Sequence, residues 1–226
     1  MIGTFVNCGT IILGGVIGLR LSKHIPERFR EIMIQALGLS TIFIGFRMAI
    51  SYDDPLPIVM SLLGGGIIGE WLNIEGRIEK LGEWLKMKLA SRSSTVGAGF
   101  VTATVLYLTG PMAIVGSIRD GTVADSSILL LKALLDGIAS IALASFYGIG
   151  VIFSAIPVFL VQGSITMAAS SLLFLQASQV LEAITATGGV LVIGIGLNLL
   201  NIVKIRVGNF FFAFVLIIVW EGMIVG

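Results

Sequence analysis

Charge is scarce in this chain: 12% of its 226 residues are Asp, Glu, Lys or Arg, against about 25% in a soluble domain. So few charges cannot cover a water-facing surface of this size, which excludes a soluble globular protein. Histidine occurs once, as His24, and cysteine once, as Cys8. One thiol makes no internal disulfide, and one His with one Cys gives neither a zinc-type ligand set nor a Cys–His nucleophile. Cys8 lies in an apolar segment, where its ordinary role is that of a small buried hydrophobe. The sequence contains no His-Glu-x-x-His motif and no Walker-type phosphate loop, which argues against zincin chemistry and against ATP-driven transport without a partner subunit. The formal net charge is +1, and no basic stripe lies outside the loops flanking apolar segments. No nucleic-acid partner, cofactor or metal is expected.

What the chain has instead is apolar length. Over half of it, 56%, is apolar and its mean hydropathy is +1.05. Several stretches approach the ~20 apolar residues that cross ~30 Å of hydrocarbon. The reading is an all-α polytopic membrane helix bundle with membrane lipid around it. Runs between charged or turn-rich breaks give eight crossings, at about 2–21, 30–50, 56–73, 96–118, 127–147, 149–175, 184–202 and 208–225. The first begins at Ile2 with no basic region before it and ends without a small-residue cleavage site, so it reads as a retained helix. The whole of 1–226 reads as a single transmembrane domain. Within it, 74–92 is an amphipathic helix on the cytoplasmic face, with Ile74, Ile78, Leu81, Leu85 and Leu89 at helical spacing and Trp84 at headgroup depth.

Orientation follows from the basic residues. Three loops, carrying Arg20 to Arg30, Arg77 to Arg92, and Lys204 with Arg206, hold 11 of the 14 Lys and Arg. All three fall on one side of an eight-crossing arrangement, which places both termini outside. The segment 149–175 contains Pro157 and Gly163. It reads as one broken crossing; a re-entrant path would reverse everything after it.

Three segments end alike. LGGVIGLRL (13–21), LGGGIIGEWL (63–72) and VIGIGLNLL (192–200) place close-set glycines before Arg20, Glu70 or Asn198. This suggests parallel helical-hairpin repeats. Close packing of small-xxx-small faces is one account of the glycines, and a face along which a solute or helix slides is the other. Such faces also point to a homodimer.

Against this background SSILLLKALLDGIASIALASF (126–146) stands out, because Lys132 and Asp136 lie four apart near its centre. That spacing puts both on one helix face, able to pair. Each charge costs roughly 3 kcal/mol at mid-membrane, and such residues mark ion or substrate paths by default. A neutralised pair that fixes helix packing is the structural alternative. The next segment supplies Ser154, Gln162 and Ser164 around Pro157, which strips the Phe153 carbonyl of its helical donor. In LTGPMAIVGSIRDG (108–121), Gly110-Pro111 interrupts the helix, so that a second half starting near Met112 offers N–H groups to an anion. A simple kink with Arg119 and Asp120 in an external loop is equally consistent. Asn7, Glu70, Glu182, Asn198 and Asn201 are further polar positions, individually read as packing hydrogen bonds.

At GPMAIVGSIRDG, LLLKALLDGIASIALASFYGIGVIFSAIPVFLVQGSI and GGVLVIGIGLNLLNIVKIRVGN, and at the GTFVNCGTIILGGVIG start, the chain resembles the YqgA/YdfK-like group of bacterial integral membrane proteins, a domain of unknown function. The resemblance spans essentially the whole chain. It implies a multi-pass inner-membrane protein and brings no substrate. The family pattern has a glycine before the aspartate at Asp125, where this chain has Ala124.

The function expected from the residues is a secondary transporter or facilitator of a small-molecule or ion substrate. Lys132, with Arg119, would bind an anionic, carboxylate-type group; Ser154, Gln162, Ser164 and Asn198 would orient the solute; Asp136, with Asp120, would couple an ion. If Lys132 and Asp136 neutralise each other, a neutral or cationic solute fits as well. The rival reading is a sensor or scaffold that recruits a partner through 74–92. An enzyme is not expected, because Glu70, Asp136 and Glu182 are scattered with no His or Cys beside them.

Overall fold

The computed structural model describes residues 1–22, 26–77, 80, 96–108 and 111–225, and among them all regular structure is helical. In chain order the main helices are α1 (Ile2–Leu21), α2 (Glu27–Ala49), α3 (Pro55–Trp71), α4 (Val96–Leu108), α5 (Pro111–Thr122), α6 (Ser127–Tyr147), α7 (Gly150–Phe153), α8 (Ala155–Met167), α9 (Ser178–Leu199) and α10 (Phe212–Val225). Four apolar stretches are long enough to cross a membrane: α1, α6, α7 with α8, and α9. α4 and α5, bent by 61° relative to each other, make a fifth if the pair counts as one span. Most of the surface helix expected at 74–92, including Trp84, lies outside the described residues; 74–77 and Lys80 are helical.

Two compact units are formed: α1 with α4–α8, and α2 and α3 with α9 and α10. Each unit joins segments far apart in sequence, so no linker or change of composition marks the division.

In the first unit α1 and α6 lie side by side. Gly3 meets Leu129, Gly14 meets Gly137 and Gly18 meets Ile141 and Ala144, so residue numbers rise together and the helices run parallel. A methyl group on Gly14 would collide with the Gly137 carbonyl oxygen, and one on Gly18 with that of Ile141. Backbones this close leave room for interhelical hydrogen bonds, and Thr10 Oγ1 donates to the Ala133 carbonyl at 2.7 Å. α6 stops at Gly148, whose φ of 76° is the left-handed region that a side chain resists. Pro157 falls in the first turn of α8, where its missing N–H costs little.

In the second unit α2 and α9 run antiparallel: Gly38 meets Leu200 and Gly196, while Gly45 meets Gly189 and Ile193. α3 and α10 are antiparallel too, with Gly65 on Ala213 and Gly69 on Asn209. The three similar segment ends therefore pack glycine on three different partners. Two of them also stop in the same way. Asn73 after α3 and Asn201 after α9 adopt φ of 49° and 54°, a conformation asparagine tolerates. At Asn201 the Ile202 N–H reaches the Leu197 carbonyl and the Asn201 N–H that of Asn198, each at 3.1 Å, which closes a Schellman cap.

The apolar runs map onto the helices with two notable shifts: α8 ends at Met167, eight residues before the expected boundary at 175, and α9 starts at Ser178, six residues before that at 184. Glu182 reads as a break in sequence, yet it is an exposed residue within the helix. Ala124, between α5 and α6, has φ of 56°, which costs an L-residue roughly 1–2 kcal/mol.

Two outcomes are expected in thermal melts of the detergent-solubilised protein. Ala124→Gly should stabilise it by about 1 kcal/mol, the relief of left-handed strain less glycine's unfolded-state entropy. Gly18→Leu should destabilise by at least ~3 kcal/mol through overpacking, whereas Gly9→Leu, with nothing within 4 Å of its Cβ position, should be neutral or mildly stabilising.

Candidate functional site

The polar centre of the first unit is built on α6. Lys132 and Asp136 face the same way one turn apart, and Lys132 Nζ lies 2.5 Å from Asp136 Oδ2. They are only 5% and 7% exposed. Asn7, on α1, donates from Nδ2 to Asp136 Oδ2 at 3.1 Å and to Gln162 Oε1, on α8, at 3.3 Å. The Tyr107 ring, on α4, has its centroid 5.8 Å from Lys132 Nζ, and its hydroxyl shares a 2.7 Å hydrogen bond with Ser140, one turn beyond Asp136. Four helices thus converge on one ion pair.

The amide orientations follow from charge. Asp136 accepts, so Asn7 must turn its NH₂ toward it. The same NH₂ then serves Gln162, whose carbonyl oxygen must face Asn7. This ordering leaves Asn7 Oδ1 and Gln162 Nε2 without partners, although both residues are fully buried. An unsatisfied buried amide atom costs about 1–3 kcal/mol. Both atoms lie in the same buried cluster as the ion pair.

Of the residues singled out in sequence, Lys132, Asp136 and Gln162 come together here. The others hold different bonds. Arg119 is exposed and pairs with Asp125 at 2.8 Å. Asp120 is buried, accepts from Ser126 Oγ at 2.6 Å, and lies 2.9 Å from the Met1 amino group. Ser154 donates to its own helix at Val151, at 2.6 Å. Ser164 is exposed and donates to Leu160 and Val161. Asn198 belongs to the second unit, where it grips both backbone groups of Ile205 at 2.7 Å. Glu70 is held there by Arg206 at 2.7 Å and by Asn209 at 2.6 Å.

At the mouth of α6, hydrogen bonds from Ser127, and then Arg119, hold the Asp125 carboxyl below its usual range. A lowered value means that Asp125 supports this turn above about pH 4, and that the contribution fades as the pH falls through the folded value.

Sequence reasoning treated Asn7 as a packing residue and passed over Tyr107, Ser140 and Glu221. Glu221, on α10 in the second unit, is fully buried and accepts from the Tyr52 hydroxyl at 2.8 Å, with its second oxygen unpartnered. Its one legible signal is a lone carboxylate in an otherwise apolar FVLIIVWEGMIV run. Among the described residues no three His, Cys, Asp or Glu gather as a metal site.

Residues 2–221 match the family described as "Protein of unknown function (DUF554)". The chain belongs to the DUF554 family. It is 33% identical over 214 residues to the uncharacterized membrane protein YdfK of Bacillus subtilis, covering 92% of this chain and 90% of the relative. It is 30% identical over 216 residues to the uncharacterized protein YqgA of Escherichia coli, covering 92% and 91%. No solved structure matches. In this DUF554 chain Asn7, Lys132, Asp136 and Gln162 form one hydrogen-bonded cluster.

Removing one partner of the ion pair should hurt more than removing both. Asp136→Leu alone should destabilise by about 3–5 kcal/mol, because Lys132 is left buried and uncompensated. Lys132→Met with Asp136→Leu should recover most of that loss in a double-mutant cycle read by thermal melting.

Proposed function

We propose that this DUF554 protein is a multi-pass transporter or facilitator of a small polar solute in the bacterial inner membrane. The observation that carries the reading is the closed polar cluster of the first unit. It combines a buried ion pair with an acceptor, Asn7 Oδ1, and a donor, Gln162 Nε2, left open beside it. A pair retained only for packing would be surrounded by groups that satisfy one another. Here the amide chain stops short, and a solute would complete it.

Eight crossings follow if α2, α3 and α10, with shorter apolar cores than the other spans, also cross. Helix directions support this count. α1 runs parallel to α6, and α2 and α3 run antiparallel to α9 and α10, as crossings one and five, two and seven, and three and eight must. In that reading the basic loops at 20–30 and 204–206 favour termini outside, and the cluster, about one-third to halfway along α1 and α6, would lie within the hydrocarbon.

The test is a thermal-shift screen of purified protein against small carboxylates, amino acids, polyols and amides. A solute that binds only the folded state at a hundredfold excess over its dissociation constant should stabilise wild type by about 2.7 kcal/mol. That gain should vanish in the Lys132→Met, Asp136→Leu double variant. A stable double variant with unchanged ligand response would move the site elsewhere.

A further inference from the structure

Further unpartnered atoms lie on the helices around the ion pair. In the first unit Thr4 Oγ1 on α1, Ser117 Oγ on α5, and Asn7 Oδ1 and Gln162 Nε2 all lack a hydrogen-bond partner. All four residues are 0% exposed. Thr4 and Asn7 are three apart, so they share a face of α1. The surrounding helices bring the other two alongside. Asp120 of α5 lies against Met1 at the start of α1, and Ser117 is one turn back from it. Gly121 of α5 abuts the Thr166 carbonyl of α8, and Gln162 is one turn back from Thr166. Gly3 and Gly116 both abut Leu129, one turn before Lys132. The open atoms therefore lead from the Met1–Asp120 end of the unit, through Thr4 and Ser117, to Asn7, Gln162 and the ion pair. On α4 the unpartnered Thr104, one turn from Tyr107, carries the row further along the chain of polar groups.

We infer that this row is the solute path of the first unit, and that its solute is uncharged, with a hydrogen-bond donor and acceptor close together, as in an amide, a urea or a small polyol. The inference rests on the transport reading above and narrows its substrate class. Two facts select an uncharged molecule. Lys132 and Asp136 already satisfy each other at 2.5 Å, so a carboxylate entering at Lys132 would strand Asp136 without a counter-charge. The open atoms themselves are mixed: Asn7 Oδ1 accepts only, Gln162 Nε2 donates only, and the two hydroxyls do either. A carboxylate is repelled by the first and an ammonium by the second. A neutral molecule carrying both functions satisfies the whole row.

The experiment is stopped-flow light scattering of proteoliposomes holding the intact chain, with inward gradients of glycerol, urea, sodium succinate and impermeant sucrose. Wild type, Thr4→Val and Gln162→Met are compared with protein-free liposomes. Thr4→Val deletes an unpartnered hydroxyl at nearly constant shape and should melt no lower than wild type, whereas Gln162→Met also removes the acceptor of the Asn7 hydrogen bond and should melt about 1 kcal/mol lower. Glycerol or urea should enter faster with wild type than with empty liposomes, and about tenfold more slowly with Gln162→Met, the loss of one hydrogen bond. Succinate entry would overturn the uncharged class and leave transport standing. Rapid shrinkage in sucrose without solute entry would overturn it too, since the row would then hold water alone. Solute entry that neither variant changes would place the path elsewhere. No acceleration by any solute would overturn both this inference and the transport reading.

Discussion

A lysine ammonium and an aspartate carboxylate 2.5 Å apart in an apolar helix set the terms for the first unit. Neither charge is tolerable there alone, because moving one ion from water to hydrocarbon-like surroundings costs several kcal/mol. The pair therefore binds its neighbours to fixed positions. Asn7 must present its NH₂ to Asp136, which places α1 against α6. Gln162 must present its carbonyl to Asn7, which brings in α8. Tyr107 must lay its ring near the ammonium, which brings in α4. The electrostatic demand of two side chains is thus spread over four helices.

Such convergence needs backbones that approach closely, and glycine supplies this on α1. With Gly14 and Gly18 against carbonyl oxygens of α6, the Asn7 amide comes within reach of Asp136. A larger residue at either position would push the helices apart by more than a hydrogen bond can stretch. The second unit uses the same device for a different end. There glycines seat α2 on α9 and α3 on α10, while Asn198, Asn209, Glu70 and Arg206 secure the loop after α9 to the end of α3. Its buried carboxylate, Glu221, has a tyrosine hydroxyl as its hydrogen-bond partner.

The site was partly legible in sequence. Lys132 and Asp136 announce themselves because charge in an apolar helix is expensive, and their spacing of four tells that they pair. Gln162 is conspicuous for the same reason. Asn7 was not, because one amide in a glycine-rich helix fits ordinary packing just as well. Arg119, Ser154, Ser164 and Asn198 illustrate the limit from the other side. Each is a polar residue near an apolar run, but whether it faces a neighbouring helix, its own backbone or a loop depends on rotation about the helix axis. Serine in particular folds back onto its own carbonyls, as hydroxyls in apolar surroundings do. Ala124, just before Asp125, occupies a left-handed conformation that glycine would adopt without strain.

The sequence alone determined that the chain is helical and membrane-directed, where most helices lie, and that a charged pair sits in the middle of one of them. These are local properties, since hydropathy, helix breakers and an i to i+4 spacing act within a single segment. Only the tertiary structure decided that the chain forms two units from interleaved segments, that Asn7 joins the ion pair to Gln162, and that one polar atom of each amide has no hydrogen-bond partner. Those outcomes depend on which helix faces meet. Small residues permit many such meetings, and the hydrogen bonds between distant segments select one.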